Sequence, residues 1–80
     1  MDLKKLTEFI IKNLVDNPDM VSVKQLDDED MITLIVMVSN EDMGKVIGKN
    51  GKIVNAIRTL VKASSYKNNL PKVNIEIDSF

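Results

Sequence analysis

The chain has 80 residues, enough for one hydrophobic core but not for two, because half-size cores bury too little surface to offset chain entropy; a single domain spanning 1–80 is expected. The apolar fraction is ordinary at 44%, but only three residues are aromatic (Phe9, Tyr66 and Phe80), so the core must be aliphatic and there are almost no rings on which a sheet could stack bases. With no Cys and no His, disulfides, thiolate nucleophiles, the usual general base and the commonest metal ligands are absent, which argues against an enzyme, a metal site or a bound cofactor.

The net charge of −1 hides a segregation. Residues 1–40 hold four basic and eight acidic side chains, whereas the stretch from Lys45 to Lys72 holds seven basic ones and no acid. One half of the domain can therefore present a positive field to a polyanion, although a charge run of this kind is more often a solvated helix face. There is no long apolar run at the N-terminus, so neither a signal peptide nor a membrane span is expected, and a cytoplasmic location is the default.

In chain order, Leu3, Leu6, Ile10 and Leu14 recur at helical spacing, with Phe9 and Ile11 widening the stripe, which predicts an amphipathic helix over Asp2 to Asp16. Pro18 biases Asn17 out of helical geometry and ends it. Met20 to Leu26 and the nearly continuous apolar run Met31 to Val38 predict two strands joined by the polar turn Asp27 to Asp30, the second strand central and buried. Ser39-Asn40-Glu41-Asp42 carries capping side chains and acids suited to a helix start. That helix must be short, because Gly48 follows within two turns. A further helix is predicted from about Gly51 to Lys67, with Ile53, Ile57 and Leu60 turned to the core. Val73 to Asp78 alternates apolar and polar throughout, the pattern of a strand covered on one face. The order is α-β-β-α-α-β. A three-stranded sheet with three helices on one face, an α+β two-layer domain, buries every stripe.

The chemistry concentrates at Gly48-Lys49-Asn50-Gly51. Two glycines three apart between helices permit a tight turn at positive φ and leave the backbone bare. A phosphodiester can then approach main-chain amides at the start of the next helix, where the dipole favours negative charge. Lys49 at the tip, flanked by Lys45 and Lys52, supplies attraction, Asn50 can add a hydrogen bond, and Arg58 belongs to the same basic run. Val46, Ile47, Ile53, Val54 and Ile57 surround the loop in sequence. With the strand Met31 to Val38 beside them, some can line an aliphatic groove for unstacked bases, read in part by the strand backbone. The predicted RNA-binding set is Lys45, Ile47, Gly48, Lys49, Asn50, Gly51, Lys52, Ile53 and Arg58.

The run Val46-Ile47-Gly48-Lys49-Asn50-Gly51-Lys52-Ile53, directly after a hairpin and between two helices, resembles a KH domain, and the element order is similar to the type II arrangement. Glu41 to Lys49, Ala56 to Ala63 and Leu14 to Pro18 resemble the small bacterial stand-alone KH proteins of the KhpA (YlqC) family, over nearly the whole chain. The resemblance implies a clamp on about four nucleotides of single-stranded RNA. It also implies a role as RNA chaperone or post-transcriptional regulator linked to cell elongation and shape. The implied partners are a second copy and a KhpB-like (Jag/EloR) KH protein. A neutral Asn50 and an acidic chain imply weak binding of low sequence specificity, with a log–log salt slope of roughly −1.4 to −2.

A nucleotide-binding P-loop is excluded, since Val46 and Ile53 stand where Gly and Ser or Thr are required, and no small-molecule substrate is implied. The acids Asp27 to Asp30 read as a solvated turn rather than a cation site. The competing reading is a protein–protein interaction module whose glycine loop is purely structural. Val54 and Val61, seven apart, broaden the apolar face of the last helix beyond Ile53, Ala56, Ile57, Leu60 and Ala63, and mark a dimer interface if they are not core.

Overall fold

The computed structural model describes residues 2–67 and 72–80, with side chains described over 2–63 and 72–80. Its elements are α1 (Leu3–Lys12), β1 (Ser22–Asp27), β2 (Met31–Val38), α2 (Met43–Ile47), α3 (Lys52–Lys67) and β3 (Lys72–Ser79). The sheet order is β1-β2-β3, with β1 antiparallel and β3 parallel to the central β2.

Register decides which side of each strand is covered. Val23 pairs with Val36, Ile32 with Val73 and Leu34 with Ile75, which puts the buried side chains of all three strands on one face. Leu3, Thr7 and Ile11 of α1, Val46 of α2 and Ile57 and Val61 of α3 cover that face. The opposite face carries rows such as Lys24, Ile35 and Glu76, so β2 is central but only its alternate residues are buried, despite its continuous apolar sequence. The result is the type II KH-like α+β domain expected, with helices on one side of a mixed sheet.

Three local readings are corrected. First, α1 ends at Lys12 rather than Asp16, because the amides of Asp16 and Asn17 donate to the Asp42 carboxylate (3.2 and 3.1 Å) instead of to carbonyls one turn back. Second, β1 starts at Ser22, since Pro18–Met20 form a tight 3₁₀ turn in which Pro18 supplies a suitable fixed φ. Third, Ser39 makes no side-chain cap. Its hydroxyl donates to Asp42 (2.9 Å), and a 3₁₀ turn over Asn40–Asp42 leads into α2.

Asp42 is fully buried, and every donor around it comes from a segment it ties down: the amides of Asp16 and Asn17, the Asn17 side-chain amide and the Ser39 hydroxyl. A buried carboxylate is tolerated only when its lone pairs are filled in this way. Thr7 is likewise buried, its hydroxyl donating to the Leu3 carbonyl one turn back (2.8 Å). Phe9, counted in the apolar stripe of α1, instead points outward at 66% exposure.

Candidate nucleic-acid interface

The loop between α2 and α3 owes its shape to three residues with positive φ. Gly48 has φ 75° and ψ 177°, a region open only to glycine, Asn50 is left-handed at φ 57°, and Gly51 has φ 75°. Gly48 is also locked sterically: a Cβ there would lie 2.5 Å from Cγ1 of Ile53, whose side chain sits over the glycine. Gly51 has room for a side chain and is required for conformation alone.

The main-chain donors differ from expectation in place. The Gly48 amide closes α2 on the Gly44 carbonyl (2.9 Å), that of Gly51 donates to the Gly48 carbonyl (3.3 Å), and that of Lys52 to the Lys49 carbonyl. A 3₁₀ turn over Lys49–Gly51 runs straight into α3, so the first amide of the helix, that of Lys52, is already engaged. Those of Lys49 and Asn50, at the tip, donate to no main-chain carbonyl among the described residues. The bare donors therefore sit in the turn itself, three and two residues ahead of the start of α3 at Lys52.

Around this tip Lys49, Asn50 and Lys52 are exposed, Ile47 is exposed and Ile53 is half-buried. Two predicted contacts are otherwise occupied. Lys45 forms an ion pair with Asp16 of the α1–β1 connection. Arg58, half-buried on α3, donates from Nη2 to the Ile75 carbonyl of β3 (3.2 Å), tying helix to sheet. The expectation that the backbone of Met31 to Val38 reads bases is also corrected. As the central strand it is paired along its length by β1 on one side and β3 on the other, so only the outer strands have free edges. Among the described residues no group of three acidic side chains could hold a metal ion, and no helix is long and apolar enough to cross a membrane.

The family model for the KH domain of KhpA and KhpB matches residues 4–77. The chain belongs to the KhpA/KhpB KH-domain family. A relative from Clostridium perfringens (strain 13 / Type A), named RNA-binding protein KhpA, is 53% identical over 75 residues, covering 94% of this chain and 99% of that one. Its namesake from Clostridium acetobutylicum is 51% identical with the same coverage. Among solved structures, Era in complex with MgGDPNP and nucleotides 1506–1542 of 16S ribosomal RNA aligns at a TM-score of 0.68 and 16% identity. All of this chain is covered there, but only 32% of the Era chain, and the likeness is one of fold.

In this KhpA/KhpB KH domain α3 is rotated from the sequence expectation. Val61 is fully buried and Val54 is 8% exposed, so neither side chain can form a dimer interface; both belong to the covered side of α3. Ala56, Leu60 and Ala63 face out instead, Leu60 at 57% exposure, although Leu60 was assigned to the core. Val54, Ile57 and Val61 recur at helical spacing as well as Ile53, Ile57 and Leu60 do, so periodicity could not choose the phase. Asp16 and Asp42 act from outside the loop, and their pairing across 26 residues is not readable from the local segments in which each stands.

Proposed function

We propose that this chain binds single-stranded RNA at the tip of the α2–α3 loop, as a non-catalytic RNA chaperone or post-transcriptional regulator in the cytoplasm. The observation that carries the reading is the pair of amides at Lys49 and Asn50, which donate to no main-chain carbonyl among the described residues. They lie on a loop held open by glycine geometry, with Lys49 and Lys52 alongside. A phosphate takes the two amides and the lysine charge, while Ile47 and Ile53 give an aliphatic surface to the adjoining bases. Membership in a family whose relatives are named RNA-binding proteins supports the same conclusion.

With Lys45 paired to Asp16 and Arg58 tied to β3, the free charges at the tip are Lys49 and Lys52, which corresponds to a log–log salt slope of roughly −1.4. The test is a fluorescence-anisotropy titration of a single-stranded oligoribonucleotide, with RNA duplex and single-stranded DNA in parallel. Lys49→Asp combined with Asn50→Asp should weaken single-strand binding at least about tenfold, the loss of one charge-assisted hydrogen bond or more, with an unchanged circular dichroism spectrum. Unchanged affinity would favour the interaction-module reading.

Self-association, and pairing with a KhpB-like (Jag/EloR) KH domain, belong to the same proposal. The exposed strip Ala56-Leu60-Ala63 on α3 supports them, since one large apolar side chain between two small ones lets a second helix approach closely. A dimer brings two clamps onto one strand and raises avidity without new contacts at either. The family's link to cell elongation and shape is proposed to follow from this RNA binding.

A further inference from the structure

We infer that Asp16 is a specificity-determining residue that competes with RNA phosphate for Lys45 and so limits the clamp to two cations. This rests on the loop being the RNA site. Lys45 lies one turn before Gly48 on α2, the natural place for a third phosphate contact. Its ammonium is instead paired with the Asp16 carboxylate, from a connection that is remote in sequence.

The pairing is built into the fold. The Asp16 and Asn17 amides donate to the two oxygens of the fully buried Asp42 (3.2 and 3.1 Å), which holds the middle of the α1–β1 connection against the start of α2. The Asn17 side-chain amide adds bonds to Asp42 (3.1 Å) and to the Glu41 carboxylate (2.7 Å), placing a second acid at the same junction. The Asp16 carboxylate is left 73% exposed, with no described role in holding its own backbone. It neutralises Lys45 and, with Glu41, sets a negative border on the α2 side of the loop. A strand passing from Lys49 and Lys52 toward that border meets repulsion where it would otherwise gain a contact. The consequence is a short footprint and modest affinity for any single strand.

The experiment is a salt-dependent titration of a single-stranded oligoribonucleotide against wild type, Asp16→Asn, Lys45→Gln and the double variant, with Lys49→Gln as reference and thermal unfolding as the fold control. Asp16→Asn should tighten binding about two- to fivefold at low salt, a range set by the weakness of exposed ion pairs. Its log–log slope should steepen by about 0.7, one additional phosphate. Lys45→Gln should change wild-type binding little, yet cancel the gain in the Asp16→Asn background, and Asp16→Glu should behave as wild type. The inference is overturned if Asp16→Asn leaves affinity and slope unchanged, or if Lys45→Gln weakens wild type as much as Lys49→Gln does. Binding indifferent to Lys49→Gln as well would instead sink the clamp itself, and this inference with it.

Discussion

At the scale of single residues, the three glycines of the chain serve different ends. Gly48 is held by both backbone conformation and the Ile53 side chain, Gly51 by conformation alone, and Gly44, within α2, by neither, since a Cβ there meets nothing within 4 Å. Substitution by alanine should separate them in urea unfolding. Gly48→Ala should cost about 3 kcal/mol, combining a strained φ/ψ with a clash against a branched side chain. Gly51→Ala should cost about 1–2 kcal/mol, the usual penalty of a left-handed conformation. Gly44→Ala should gain about 0.5–1 kcal/mol by stiffening the unfolded chain. Equal losses at Gly48 and Gly51 would mean that the Ile53 contact is not felt. The spacing of Gly48 and Gly51 was legible in the sequence as an exposed turn. That Gly48 alone is locked was not, because the lock depends on where the Ile53 side chain falls after the helix restarts.

At the scale of elements, Asp42 is the part that sequence reasoning could not supply. The residue reads locally as an acid in a helix first turn, yet its carboxylate bridges to Asp16 and Asn17, more than twenty residues earlier. That bridge explains why α1 stops at Lys12 although apolar periodicity continues through Leu14. Asp42→Ala would leave partly buried amides without their acceptor and empty a buried site, and a chemical-denaturation midpoint corresponding to a loss of about 2–4 kcal/mol is expected. A loss under about 1 kcal/mol would mean that water satisfies those amides and that the junction is not fixed by Asp42. The two strands with the clearest patterns lie where those patterns place them. β2 has the bounds Met31–Val38 taken from its apolar run, and β3 extends the alternation of Val73 to Asp78 by one residue at each end.

At the scale of the molecule, the layer arrangement followed from the sequence because each stripe has only one way to be buried, but the rotation of α3 did not. The helix offers two overlapping apolar arcs, and only the position of the sheet selects Val54, Ile57 and Val61 over Ala56, Leu60 and Ala63. Paired substitutions should expose the choice. Val61→Asp buries a charge with no partner and should unfold the domain or lower its melting temperature sharply, whereas Leu60→Asp should keep the fold. By sedimentation, Leu60→Asp should also be monomeric at concentrations where wild type self-associates. A folded Val61→Asp protein would place α3 the other way round, and a Leu60→Asp protein that still dimerised would move the interface off this strip.

These scales meet at the turn between α2 and α3, where fold-enforced geometry leaves the Lys49 and Asn50 amides without a main-chain acceptor among the described residues. An amide-resolved NMR titration with a short single-stranded oligoribonucleotide tests this most directly. The largest shifts should fall on the Lys49 and Asn50 N–H groups, with smaller ones at Ile47, Lys52 and Ile53 and none on the sheet face bearing Lys24, Ile35 and Glu76. Shifts centred on that sheet face or on the Ala56-Leu60-Ala63 strip, with the turn unmoved, would contradict the assignment of the loop as the RNA clamp.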